Sequence, residues 1–146
     1  MNAWERERAL ARTTAVWAAG SIIGGLAFAA RRDPWWRAFG QQHVGWGAAD
    51  LGIVGALAVV QRRRMAKLAN PYAPAVLERE RRRLRTILWV NVAADAGYCV
   101  LGLMLSRRAE PRAAGAGAAI IVQGAFLLAH DTQHAVATGG VRRTRR

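Results

Sequence analysis

The chain has 146 residues, 53% of them apolar, with 22 Lys+Arg against nine Asp+Glu and a net charge of +13. This length sets one domain as the expectation, and a single cysteine, Cys99, excludes a disulfide framework or a CxxC site. The mean hydropathy of +0.04 resembles that of a soluble protein only because arginines fall between apolar blocks and cancel them. Such a charge otherwise points to nucleic acid. Here the arginines flank segments of membrane length, where positive-inside sorting and anionic headgroups account for them. The expected partner is therefore an anionic bilayer and not nucleic acid.

Residues 1–12 mix charges with Trp4 and Leu10 and read as a short interfacial lead-in helix. Thr13 to Ala30 then form 18 uncharged residues, the first expected span (13–30). Within it Gly20 and Gly24 make a GxxxG pair that lets another helix approach closely. A signal peptide ending near Ala27-Phe28-Ala29 is the rival reading; the two preceding glutamates and the length of the run favour a retained helix. The segment Arg31 to Arg37, RRDPWWR, is predicted as a loop with Trp35 and Trp36 at headgroup level. A second span is expected over residues 43–60, where Gly45, Ala49, Gly52 and Ala56 recur at i, i+4, i+7 and i+11 and give a smooth packing face. Asp50 falls about 120–140° around the helix from that face and is expected to meet a different neighbour.

Residues 61–85 read as a long connection broken by Asn70-Pro71 and Pro74. Pro74 suits the first turn of an amphipathic interfacial helix that runs on into the third span. Glu78 and Arg82 form an i, i+4 pair on it. The third span, Thr86 to Ser106, has 21 residues and one charge, Asp95. Asn91, Asp95, Tyr98 and Gly102 share one stripe of it. A carboxyl group in lipid is costly, so this helix is expected at the centre, sheltered by the others. After a short turn, a fourth span covers 113–134, with Gln123, Leu127, His130 and His134 on one stripe and Gly124 available for packing. The ending GGVRRTRR reads as a flexible basic tail.

Sixteen Lys and Arg fall at the two ends and the 61–85 connection, against six in the other two loops. Positive residues favour the cytoplasm, so both termini and the long connection are expected there, in a multi-pass protein of the inner (plasma) membrane. The expected fold is an all-α integral membrane four-helix bundle forming one domain over 1–146.

The candidate site is an intramembrane polar cluster of Asp50, Asn91, Asp95, Tyr98, Gln123, His130 and Asp131. Ionisable groups inside a bundle pair with one another or line a hydrated path. Two aspartates share a local pattern, since Trp46-x-x-x-Asp50-x-Gly52 matches Asn91-x-x-x-Asp95-x-Gly97. A duplicated two-helix unit does not explain this, because the spans concerned are adjacent and antiparallel. In the leading reading the cluster organises the bundle, with Asp95 satisfied by Asn91, Tyr98 and Gln123, in a scaffold or partner subunit that functions as a homo-oligomer or beside another membrane protein. The alternative is a proton- or ion-coupled small transporter or channel. A third reading places a metal or haem enzyme on His130 and His134, which stand at i, i+4. The glutamate of HExxH is absent and His43 begins a span at the opposite membrane face, so no metal or cofactor is assigned. No phosphate-binding glycine loop and no GxSxG elbow occurs, and no catalytic residue is assigned.

The segments GWGAADLGIVG, WVNVAADAGYCVLG and GAAIIVQGAFLLAHDTQH resemble a family of small bacterial four-span membrane proteins of unknown function. The third-span pattern is Asn91, Asp95, Tyr98, Gly102; the fourth-span pattern is Gln123, Gly124, Phe126, Leu127, Leu128, Asp131. The resemblance covers about the last two-thirds of the chain and implies a four-helix membrane fold with no assigned activity. The chain is also similar in size to small multidrug-resistance transporters, but its first span lacks the glutamate those proteins carry there.

Overall fold

Asn2 and Glu5 cap each other reciprocally, the Asn2 side chain accepting from Glu5 N (3.0 Å) and Glu5 Oε2 accepting from Asn2 N (2.8 Å). This starts α1 (Ala3–Ala29), which has no break at residue 12. The lead-in and the first span are therefore one helix. Asp33 Oδ1 accepts from Trp36 N (3.0 Å) and Pro34 occupies the first turn, so the expected loop RRDPWWR is confined to Arg31–Asp33 and PWWR is already the start of α2 (Pro34–Ala66). Pro74 opens α3 (Pro74–Ser106), which runs unbroken through the expected third span. Glu110 accepts from the amides of Arg112 (2.9 Å) and Ala113 (2.6 Å) at the head of α4 (Pro111–Gly139). The computed structural model describes residues 1–139; the basic tail lies outside the described residues.

The four helices run antiparallel in chain order and pack in the cyclic order α1–α2–α4–α3. Residues 1–5, the 67–73 turn and the end of α4 consequently share one end of the bundle. Trp4 Nε1 donates to Pro71 O (2.9 Å) there, and Arg81 Nη1 donates to Thr138 O (2.8 Å). Trp4 is fully buried and so leaves the interface position its surroundings suggested. The opposite end carries an aromatic cluster in which Trp35 stacks on Phe39 (5.4 Å) and Phe28 stacks on Trp36 (5.0 Å).

Three helices, α2, α3 and α4, are long and apolar enough to cross a bilayer. The first helix is not among them. The 33 residues of α2 and of α3 extend about 50 Å, well beyond a hydrocarbon core of about 30 Å. Their arginine-rich ends therefore project past any membrane the middle occupies. Polarity is inverted relative to a soluble protein. Among the described residues the buried set holds seven apolar side chains and ten polar or charged ones. Val16, Ile23, Leu26, Ile53, Val90, Val100, Met104 and Val136 are more than half exposed. An apolar exterior around a polar interior suits a surrounding of acyl chains.

The helix at the centre is α4 rather than α3. Within the most apolar stretch, 39% of α4 is buried, against 17% for α2 and for α3. Small residues allow this: a methyl group at Gly117 would collide with the backbone of Gly102 and Ser106, and one at Gly115 with Trp35. At the α1–α2 seam a methyl group at Gly40 would strike the backbone of Gly25 and Ala29. Of the glycines singled out for packing, Gly102 meets Gly117 and Ile121, and Gly124 meets Cys99. The close approaches do not include Gly20, Gly24, Gly45 or Gly52, where added carbon would meet nothing within 4 Å. Their spacing marks a small-residue face but says nothing of which face a neighbour takes.

Candidate functional site

Between α2 and α3, floored by α4 and flanked by the first turns of α1, lies a cavity of about 290 Å³. Asp50, Asp95 and Asp131 line it from three different helices, and each is at most 6% exposed. Asn91 and Tyr98 line it from the α3 stripe, together with Trp46 from α2. Trp46 and Tyr98 meet edge to face at 5.0 Å. The matched four-residue spacings, Trp46 to Asp50 and Asn91 to Asp95, thus bring both pairs to one space.

The electrostatics of this space are unbalanced. Asp50 Oδ2 and Asp95 Oδ2 are buried without a hydrogen-bond partner, as are Trp46 Nε1 and His130 Nε2. Asp131 lies within electrostatic reach of both other aspartates. Its Oδ1 stands 3.2 Å from His130 Nδ1, an ion pair whenever the imidazole is protonated. A buried acid oxygen without a donor forfeits its hydration, a cost of roughly 1–3 kcal/mol and more if charged. Native interiors rarely leave such atoms unmatched unless an ion, a proton or water completes them.

Other members of the expected cluster lie elsewhere. Gln123 turns toward α1, where it accepts from Trp17 Nε1 and donates to Ser21 Oγ (3.1 Å). It does not reach Asp95. The sheltering network expected of Asn91, Tyr98 and Gln123 is therefore not formed at Asp95 Oδ2. His130 is 6% exposed and belongs to a ladder along α4: Trp17 stacks on Phe126 (3.9 Å), Phe126 on His130 (5.4 Å), and His130 tilts against His134 (4.7 Å). Among the described residues no three His, Cys, Asp or Glu side chains converge closely enough to hold a metal ion.

The cavity continues toward the arginine-rich end, where Glu7 and Gln61 line it. Arg64 of α2 holds Glu7 of α1 at 2.8 Å and Glu80 of α3 at 3.0 Å, and sits over the Trp4 ring at 5.2 Å. Gln61 Nε2 donates to Glu7 Oε2 (2.8 Å) and to Trp4 O (3.2 Å). Sequence reasoning missed this network and the Trp17–Gln123–Ser21 set. Their members are 16–57 and 102–106 residues apart, and no local pattern joins them. Trp46 had a usable signal, its position four residues before Asp50.

A helical bundle with three apolar helices of bilayer length and unpaired acids in its interior is the class that fold and site define. The chain belongs to a family of unknown function, DUF6992, whose model matches residues 13–132. The match takes in all three aspartates. No curated protein and no solved structure matches the chain.

Proposed function

We propose that this is an integral membrane protein that crosses the bilayer four times, α1 included, with both termini and the 67–73 turn in the cytoplasm, and that its cavity binds protons or cations as part of a small coupled transporter. One observation carries the reading: α2 and α3 each bury an unpartnered carboxylate oxygen on the wall of the same cavity. An adhesive hydrogen-bond network would satisfy its members. These two oxygens are left to something that arrives and departs. Intramembrane acids of this kind serve ion and proton pathways. The 18 uncharged residues from Thr13 to Ala30 support α1 as a span, and the Lys/Arg asymmetry supports the orientation.

A second reading, the polar cluster as bundle organiser in a scaffold or partner subunit, is favoured by the Gln123 set, which is satisfied and joins α1 to α4. The two readings divide the polar residues between them. Reconstitution in liposomes with an imposed proton or cation gradient tests the first. Wild-type protein carries flux, and Asp95→Asn removes it while keeping its melting temperature in detergent. Equal flux in wild type and variant sinks transport through this site. Loss of folding with Asp95→Asn and absence of wild-type flux together favour the organiser.

A further inference from the structure

We infer that the cavity is a binding site for a hydrophobic organic monocation, such as a quaternary ammonium with an aromatic or branched apolar group, which enters sideways from the bilayer. This rests on the cavity being a cation site, and it names the cation.

The size comes first. About 290 Å³ stands at the lower edge of small-molecule pockets, which run from about 300 to 1,000 Å³. That is far more space than a bare ion needs. The donor set agrees, since no three metal-ligating side chains converge among the described residues. Asp50, Asp95 and Asp131 line the cavity from three different helices. A diffuse charge on a bulky ligand can face them together, whereas a small metal ion needs oxygens drawn together around it.

The lining supplies the rest of the recognition. Ile53, Val54, Leu57, Leu88 and Leu127 are apolar and accept a hydrocarbon body. Trp46 and Tyr98 bring aromatic rings to the level of the two acids, and ring faces attract quaternary ammonium groups. Apolar walls with few convergent polar groups are the usual form of a small-molecule pocket.

The route follows from exposure. Ile53 (57%), Leu57 (40%) and Tyr98 (37%) line the cavity and yet are open to the surroundings, so the space communicates with the outside on a flank of the bundle. Of the four seams around the bundle, that between α1 and α3 is the sparsest. Both aqueous ends carry arginines, which repel a cation, and Arg8 lines the cavity at one of them beside Glu7; a sideways route to Asp50 and Asp95 runs past apolar side chains instead. Only a ligand soluble in acyl chains can use that route.

The test is equilibrium binding of benzyltrimethylammonium to the full chain in nanodiscs, beside its uncharged carbon isostere neopentylbenzene. A radiolabelled ligand reports binding. The expected result is saturable binding of the cation, weakened about tenfold or more by Asp50→Asn and by Asp95→Asn, with far weaker binding of the isostere. Val54→Phe, which fills the cavity without altering charge, weakens the cation equally and keeps the inference open to test should an aspartate variant not fold. Equal binding of cation and isostere overturns the inference in favour of an acyl-chain groove. Cation binding indifferent to all three substitutions also overturns it. Proton flux that depends on Asp95 in vesicles, with no measurable cation binding, overturns it as well but leaves the transporter reading standing; absence of both removes the two together.

Discussion

Arg64 Nη2 lies 2.8 Å from Glu7 Oε2, joining the base of α2 to the first turns of α1. The same guanidinium reaches Glu80 of α3 at 3.0 Å, so one cation fastens three helices. Glu7 and Glu80 side chains are only 19% and 10% exposed, which limits how far water can replace the arginine. Arg64→Ala should therefore destabilise the protein by about 1–3 kcal/mol, read by thermal unfolding in detergent. Glu7→Gln combined with Arg64→Ala should cost less than the two separate effects added, because the pair shares one interaction. Strict additivity would place the residues outside a common network.

Two kinds of glycine should respond in opposite directions. At Gly40 and Gly117 a methyl group runs into opposing backbone, which cannot rotate away. Gly40→Ala and Gly117→Ala are expected to cost about 1–3 kcal/mol by overpacking. Gly20 and Gly52 face open space, so Gly20→Ala and Gly52→Ala should stabilise their helices by up to about 1 kcal/mol. Unfolding of the four variants side by side decides it. A large loss at Gly20 or Gly52 would reveal a partner seated on that face.

Gln123 is 1% exposed and is matched by Trp17 and Ser21. Gln123→Ala strands the indole N–H and opens a small void, for an expected loss of about 1–3 kcal/mol. Cation or proton handling at the cavity should survive, since Gln123 is not among its lining residues. The combination of lowered melting temperature with retained flux separates this residue from Asp95.

Glu78 lies at the arginine-rich end, outside the expected third span. Hydrogen bonds from Arg81 and Arg82 hold its carboxyl down at about 2, against an ordinary value of 4.5. The folded value is the lower one, so the stabilising contribution is complete above about pH 4.5 and fades as pH falls toward 2. Arg81 also donates to Thr138 O and so ties this carboxylate to the end of α4. Wild type should melt above Glu78→Gln at pH 6, and the difference should close between pH 4.5 and 2. Because Glu78 is exposed to solvent, salt should narrow the same difference.

Where uncharged runs and proline starts carried the information, the fold was legible. Pro74 and the run after Thr86 placed α3 as a single helix, and the structure has it so. Asp33-Pro34 was misread because an aspartate before proline begins a turn and also caps a helix; the capping bond to Trp36 N decides between them. Trp4 looked interfacial because its sequence neighbours are charged, and only Pro71, far along the chain, buries it. The aspartates announced themselves as charges inside apolar runs. Their common cavity did not, since Asp50 is brought to Asp131 by the α2–α4 packing, which no periodicity within one helix encodes. Gln123 and His130 fall on one stripe of α4 by spacing, but a helix surrounded on several sides gives different parts of that stripe to different neighbours.

The seam between α2 and α4 has a consequence for how the protein is made. Each sequential hairpin, α1–α2 and α3–α4, has its own extensive contact. Asp50 then sits in the earlier hairpin, with Asp95 and Asp131 in the later one. The acid pocket comes into being only when the two halves dock, so Asp50 lacks its companions until then. Either half expressed alone should therefore accumulate less than when both are expressed together as separate chains divided in the 67–73 turn.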